Sequence, residues 1–335
     1  MPKDYHKNSS QPIFSIVIPA FNEEKFLPKC LESLKNQDFK EGEENKFSFS
    51  LLLSQGESSV FEIIVVDNNS TDETPEIAKE FEAIVLFENR QGVAFTRQKG
   101  FLKAKGEIIV TTDADTILPR NWLSRIFDEF KKDKDLVAFG GSCYFYSGPI
   151  SARLASKFLL KLFLIFDKFL SGGWNLMGCN MAIRKEAFLK IGGFNTNLKL
   201  NEESEISSRL RKVGKVILDP NFKVKTSGRR YRHGLIFGLM SYVPTTIFRF
   251  LFKKYNKFQR LSPVRIEESL INKFSSLILI LFILLFSLFH FLHPSIVQAK
   301  RFEWAKRDIN KVVFVEKKIG NKMGKDLKTL ENFHL

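Results

Sequence analysis

The sequence predicts an α/β fold: a mostly parallel central sheet with helices on both faces, followed by C-terminal helices that lie in or cross a membrane. Three observations predict it. Continuous apolar runs such as FSIVIPA, FEIIVVD and GEIIV alternate with stretches of helical period, which is the pattern of strands buried on both faces of a parallel sheet. Each run stops in a polar turn, and ligands of such sheets sit at the C-terminal ends of the strands. Late in the chain, Phe274–Leu292 carries nineteen residues without a formal charge apart from a protonatable His290. At about 1.5 Å per residue it covers roughly 30 Å of hydrocarbon.

Residues 1–12 read as a flexible N-terminus; they lack the apolar stretch of a signal peptide, so the first domain is expected to stay in the cytosol. A domain over 13–230 follows. Its first strand, FSIVIPAFN, ends at Pro19, and EEKFLPKCLESLKNQ spaces Phe26, Leu27, Cys30, Leu31 and Leu34 along one helical face. Residues 36–60, polar and glycine-bearing with one apolar patch, read as an insertion loop holding a short helix or hairpin. FEIIVVDNNSTDETPEIAKEF then repeats the strand, turn and helix, with Thr74 or Ser70 as cap and Pro75 in the first helical turn.

AIVLFE is a short strand, GVAFTRQKGFLKAK a helix and GEIIVTTDAD the next strand; PRNWLSRIFDEFKKD is an amphipathic helix and LVAFGGSCYFY a strand. LASKFLLKLFLIFDKFL has Leu and Phe on most sides with Lys157, Lys161 and Lys168 interspersed. A buried helix and a helix lying in the membrane interface with snorkelling lysines both fit it. Residues 231–273 read as interfacial amphipathic helices, 274–292 as a single membrane span and 293–335 as a basic tail. Basic residues flank the span on both sides, so the charge rule leans slightly toward a cytosolic catalytic domain at the inner or cytoplasmic membrane, a shallow hairpin being the alternative.

Fifty-two Lys and Arg against 37 Asp and Glu give a net charge of +15. That balance suits an anionic partner: nucleic acid, lipid headgroups or a phosphorylated substrate. The chain has no zinc-type Cys/His spacing, RNA-binding aromatic signature or basic recognition helix, which argues against nucleic acid. Cys30, Cys143 and Cys179 are widely spaced and odd in number, which fits neither a disulfide framework nor a structural metal.

Asp113 and Asp115 stand one residue apart where GEIIV stops. Like charges so placed raise one another's pKa unless something positive lies between them. Short carboxylates suit a hard divalent ion, Mg²⁺ or Mn²⁺, that keeps sites for water and substrate phosphates; an isolated D-x-D turn, by contrast, is usually a solvated loop.

This turn is not isolated. FSIVIPAFNEEKFLPKCLESL, FEIIVVDNNSTDETPEIA, GVAFTRQKGFLKAKGEIIVTTDADT and GCNMAIRKEAFLKIGGFN occur in this order, and together they resemble the family 2 glycosyltransferase catalytic domain of GT-A fold over about Phe14 to Val224. The resemblance implies an inverting transfer of a sugar from a nucleotide diphosphate donor to an acceptor hydroxyl or phosphate. It implies Pro19, Phe21 and Glu23 bordering the nucleotide, Arg97 near the phosphates, Asp113 on the donor, and Asp115 with Asp113 on the metal. Asn68 stands where the family often has an Asp that reads the base. The general base falls at Glu203, one methylene longer than the family's usual Asp, with Glu202 beside it as the alternative. Arg229 and Arg230, in the loop KTSGRRYRHG, match a basic loop of some members that closes over the donor or grips a lipid phosphate; adhesion to anionic headgroups is the other reading.

The membrane segments make a polyprenyl phosphate or lipid-borne glycan the expected acceptor. Oligomeric state is left open by the sequence. Two other readings are a catalytically silent membrane scaffold and a processive polysaccharide synthase, the latter needing more spans than one.

Overall fold

Alternate residues of the first strand serve two different cores. In β1 (Phe14–Ala20), Phe14, Ile16 and Ile18 face one cluster and Val17 faces another, as the two-residue period of a strand requires. The first cluster takes Leu27, Leu31 and Leu34 from α1 (Leu27–Lys35). These features belong to a computed structural model describing residues 11–41, 45–48, 60–198 and 201–232. The interfacial segment 231–273 from residue 233 on, the apolar stretch 274–292 and the tail 293–335 lie outside the described residues, as do 1–10.

Along the chain follow β2 (Asp38–Glu41) and β3 (Asn45–Ser48), β4 (Phe61–Asp67), α2 (Thr74–Glu80), β5 (Ile84–Phe87), α3 (Val93–Lys103), β6 (Ile108–Thr111), β7 (Thr116–Ile117), α4 (Trp122–Lys132) and β8 (Leu136–Phe145). Then come α5 (Ile150–Phe158), α6 (Leu160–Ser171), β9 (Met181–Arg184), α7 (Lys185–Lys190), α8 (Glu202–Leu210) and β10 (Lys215–Thr226). The central sheet has the order β5-β4-β1-β6-β9-β8-β10-β7. α4 packs Trp122, Ile126 and Phe130 into the first core, while Phe101 of α3, Phe188 of α7 and Ile206 of α8 fill the second. Helices thus cover both faces, as expected.

The sheet is mostly parallel, as expected: β5, β4, β1, β6, β8 and β10 run the same way, while β9 runs antiparallel to both β6 and β8, and β7 antiparallel to β10. The chain leaves β8 and re-enters β9 at the same sheet edge, so β9 must run back; the apolar run MAIR carries no sign of that direction. The 36–60 insertion contains a hairpin, β2 against β3. Pro75 sits in the first turn of α2 as expected, whereas the cap is Glu73 rather than Thr74 or Ser70. The Thr74 hydroxyl is instead taken by the neighbouring turn, accepting the Glu23 N–H at 2.7 Å.

Asn180 locks the second half of the sheet. Buried, it accepts from Trp122 Nε1 at 2.9 Å and donates to the carbonyls of Ser142 and Phe222 at 3.2 and 3.1 Å. Beside it, a Cβ on Gly141 would stand 2.0 Å from the Phe222 carbonyl, so only glycine permits this approach of β8 to β10. Among the described residues no helix is long and apolar enough to cross a membrane.

Candidate active site

The turns after β1 and β4 are stitched together side by side. Asn22 and Asn69 adopt positive φ, 52° and 66°, a conformation asparagine tolerates because its amide bonds locally. The Asn22 N–H donates to Ser70 Oγ at 2.8 Å, and the Thr71 N–H donates to Asn22 Oδ1 at 2.6 Å. Pro19, near the end of β1, and Phe21, on the first turn, are half-buried, and Glu23 is buried in that turn.

Asn68, expected near the base, is bonded within the chain. Its amide donates to the carbonyls of Glu88 and Arg90 at 2.6 and 2.9 Å and accepts the Gly92 N–H at 2.8 Å. A buried amide keeps its partners, and these brace the 88–92 loop at the edge of the site. Nothing in VVDNNS reveals loop carbonyls some twenty residues away.

At the end of β6, Asp115 is enclosed by three elements. Thr226, brought alongside by the β7–β10 pairing, donates its hydroxyl to Oδ1 at 3.1 Å; Arg229 Nε lies 3.1 Å from Oδ2; and the Tyr146 hydroxyl donates to the backbone carbonyl at 3.3 Å. Burial, with help from Asp113 and Glu23 and against the pull of Arg229, pushes the Asp115 carboxyl up to about 7. Arg229 also forks onto both oxygens of Glu23, with the Nη1 bond at 2.8 Å, and its guanidinium stacks 4.7 Å from the centre of the Phe26 ring. Arg230 follows it, half-buried, on a short 3₁₀ turn, Arg229–Tyr231.

Asp113, more exposed than Asp115, belongs to a second cluster built around Arg97. Arg97 Nη2 donates to Asp113 Oδ1 at 2.9 Å, and Nη1 donates to both Glu202 Oε1 and Glu203 Oε1 at 2.9 Å. Arg97 lies buried on the α3 stripe shared with Ala94, Gly100 and Phe101, and its head reaches the carboxylates that line the site. Burial opposes its charge, but the three acids outweigh that and hold the guanidinium above its ordinary pKa.

Glu203, at the start of α8, stays partly exposed at 27 %, whereas Glu202 is enclosed. Glu205 turns away and pairs with Arg209. Gly178 was not singled out by the sequence, yet a Cβ there would meet Arg97 Nη2 at 2.1 Å and Glu203 Oε1 at 2.6 Å. The glycine is what lets these two groups meet.

Glu202 is pushed up from 4.5 to about 8, chiefly by burial and then by Glu203, against the pull of Arg97. The folded chain therefore holds this proton more tightly than the unfolded one. The resulting stability is complete below about pH 4.5 and is lost as pH rises through about 8. Glu202→Gln keeps an acceptor for Arg97 with no proton to lose, and is expected to flatten the fall of Tm across that window. Parallel Tm profiles for mutant and wild type would count against this.

With Glu202 holding its proton near neutral pH, the two clusters set four carboxylates (Glu23, Asp113, Asp115 and Glu203) against the two guanidiniums of Arg97 and Arg229. Two negative charges are left over when Asp115 is ionised, a field that favours a divalent cation. Among the described residues no group of three or more His, Cys, Asp and Glu is placed to hold one ion. The Asp113–Asp115 turn therefore offers at most two protein ligands, which fits a hard ion whose other positions go to water and phosphate oxygens.

The model of glycosyl transferase family 2 matches residues 15–192, more than half of the chain and the stretch that carries Glu23, Arg97, Asp113, Asp115 and Gly178. The chain belongs to glycosyl transferase family 2. Among curated relatives, this family 2 chain is 28 % identical over 207 residues to the dolichyl N-acetyl-alpha-D-glucosaminyl phosphate 3-beta-D-2,3-diacetamido-2,3-dideoxy-beta-D-glucuronosyltransferase of Methanococcus voltae, covering 57 % of this chain and 55 % of that protein. It is 29 % identical over 157 residues to the GalNAc(5)-diNAcBac-PP-undecaprenol beta-1,3-glucosyltransferase of Campylobacter jejuni, covering 45 % of this chain and 44 % of that one. The chain spans about half the length, or less, of these curated relatives. Among solved structures, the mannosyltransferase of Pyrobaculum calidifontis in complex with GDP-Man and Mn²⁺ aligns with a TM-score of 0.48 at 20 % identity, over 70 % of this chain and 65 % of that one.

Proposed function

We propose that this chain is an inverting glycosyltransferase that moves a sugar from a nucleotide diphosphate to a lipid-linked acceptor, a polyprenyl phosphate or a lipid-borne glycan, at the cytosolic face of a membrane. One observation carries the reading: the Arg97 guanidinium holds Asp113 and Glu203, ninety residues apart in sequence, at 2.9 Å each. The acidic turn for the donor and a carboxylate for the acceptor are thereby fixed in one place. The names of the relatives support the acceptor class, since one acts on a dolichyl phosphate-linked sugar and another on an undecaprenol-linked one.

Asp113 and Asp115 would hold Mg²⁺ or Mn²⁺, which when bound supplies positive charge to the departing diphosphate. Glu203 accepts the proton of the acceptor hydroxyl as its oxygen bonds to the anomeric carbon and the bond from that carbon to the diphosphate oxygen breaks. Direct displacement from the opposite side inverts the sugar. Where the acceptor is a phosphate, the attacking oxygen is already ionised and Glu203 orients it. Arg229 holds the diphosphate position closed by pairing with Glu23 and Asp115, and turns its fork to phosphate oxygens when the donor arrives. Pro19, Phe21 and the Asn68-braced loop frame the nucleotide, and Arg230 adds positive charge at the same rim.

Thermal shift with Mn²⁺ and UDP or GDP tests this. Wild type is expected to rise in Tm with Mn²⁺ plus one of the two nucleotides, and Asp115→Ala to lose the Mn²⁺-dependent part. Arg229→Ala, which frees Asp115 of its counter-charge, is expected to bind Mn²⁺ alone more tightly and the nucleotide about ten- to a hundredfold more weakly. A Mn²⁺-dependent shift unchanged in Asp115→Ala overturns the assignment.

A further inference from the structure

We propose that the outer faces of α5 and α6 dock on the surface of a bilayer containing anionic phospholipid. α6 is held to the body by a narrow footing: within it only Leu164 and Asp167 are buried, the latter accepting from Asn175 Nδ2 at 2.7 Å. Around that footing the two helices turn large apolar side chains outward. Phe169 is 81 % exposed, Phe158 68 % and Leu162 64 %, with Ile150, Phe163 and Phe166 also open. Single exposed apolar residues are ordinary, whereas a contiguous patch on successive helical turns marks a binding surface.

Charge selects the occupant. Over residues 150–171 the chain carries Arg153, Lys157, Lys161 and Lys168, and its one acid, Asp167, points inward. The outer face is therefore apolar and purely cationic, complementary to anionic headgroups over acyl chains. Lys168 packs its ammonium 4.4 Å from the Trp174 ring and Lys161 donates to Asn221 at 3.2 Å, so both charges lie back toward the protein body, where headgroups would meet them. A second copy on the same face would set four cations against four. The chain's own residues 233–266 contain Arg249, Lys253, Lys254, Lys257, Arg260 and Arg265 and no acid, so they offer no complementary charge to this face. At twelve residues, α6 is about 18 Å long, too short to span, and so lies in the plane of the surface.

The patch adjoins the candidate site. Ser147, just before α5, lies 3.0 Å from Ser227 through their hydroxyls, and the Phe145 and Tyr231 rings are 4.9 Å apart. Docking there brings the Arg229 loop to headgroup level, the depth of a lipid phosphate. This deepens the membrane side of the proposed function and rests on it for orientation only.

The test uses the full chain with Phe163→Cys carrying an environment-sensitive fluorophore. The native Cys30, Cys143 and Cys179 are buried, which directs labelling to the new thiol; Lys131→Cys on α4 serves as control. With phosphatidylcholine vesicles containing phosphatidylglycerol and lipids spin-labelled near the headgroup, the label at 163 should shift to the blue and lose most of its emission, more than with phosphatidylcholine alone. The control label should do neither. Vesicle-bound protein whose label at 163 stays in water overturns the proposal, since the chain is then anchored elsewhere. A blue shift without lipid that grows with protein concentration overturns it in favour of self-association. Quenching at 163 in a protein that binds no nucleotide leaves the docking surface standing and removes the transferase reading.

Discussion

Glu203→Gln is expected to lower the rate of glycosyl transfer by about 10²- to 10⁴-fold, the usual contribution of a positioned general base. Nucleotide binding with Mn²⁺, read by thermal shift, should stay at the wild-type level. Glutamine keeps the size and the acceptor oxygen that Arg97 Nη1 holds at 2.9 Å, so the fold and the acidic turn should survive. What disappears is a carboxylate able to take a proton. Glu202 offers itself as an alternative, but it is enclosed and held largely protonated near neutral pH, pushed up to about 8 mainly by burial. A protonated, buried acid is a poor base for an acceptor arriving from outside. Glu203→Asp, which restores the residue the family more often uses, should recover part of the rate. Transfer by Glu203→Gln at the wild-type rate, with Glu202→Gln inactive, would reassign the base to Glu202.

The second large effect falls on stability. Arg97→Met is expected to cost about 1–3 kcal/mol, because it removes the counter-charge shared by the partly exposed Asp113 and Glu203 and leaves the buried Glu202 without its hydrogen-bond donor. For a domain of this size that lowers Tm by roughly 2–12 °C. Two controls separate charge from lost packing. Moderate acid should restore part of the loss, since protonated carboxyls need no counter-ion, and Arg97→Met combined with Glu202→Gln should be more stable than Arg97→Met alone. Wild-type stability for Arg97→Met at pH 8 would mean that the three acids do not depend on this guanidinium. Both outcomes are read by calorimetry, independently of catalysis.

These two residues also mark how far the sequence could be read. Glu203 was singled out because the family resemblance sets the base there, within a continuous acidic stretch opening a helix, and a stretch of neighbours is what a linear reading sees. The partners of Arg97 come from α8 and the turn after β6, so FTRQKG gave no hint of which carboxylates its arginine would meet. The partners of Asn68 were hidden for the same reason: its amide answers to the carbonyls of Glu88 and Arg90, whose positions follow from the pairing of β4 with β5. Gly178 escaped notice because an ordinary φ and a small residue leave no signature in the chain; only the meeting of Arg97 and Glu203 above it makes its missing Cβ matter.

The sequence by itself determined the strands β1, β4, β5, β6 and β8 and the helices α1 to α4, that the polar turns after β1, β4 and β6 fall at strand ends, and that Asp113 and Asp115 share one of them. These depend on local periodicity and on covalent spacing, which the chain carries in its own order. The tertiary structure decided the antiparallel entry of β9, the closing of Arg229 over Glu23 and Asp115, and the sharing of one guanidinium among three acids. Each of those is a compromise between charges and backbone groups that become neighbours only when the sheet assembles, and burial, which sets the strength of every such interaction, does not exist until it does.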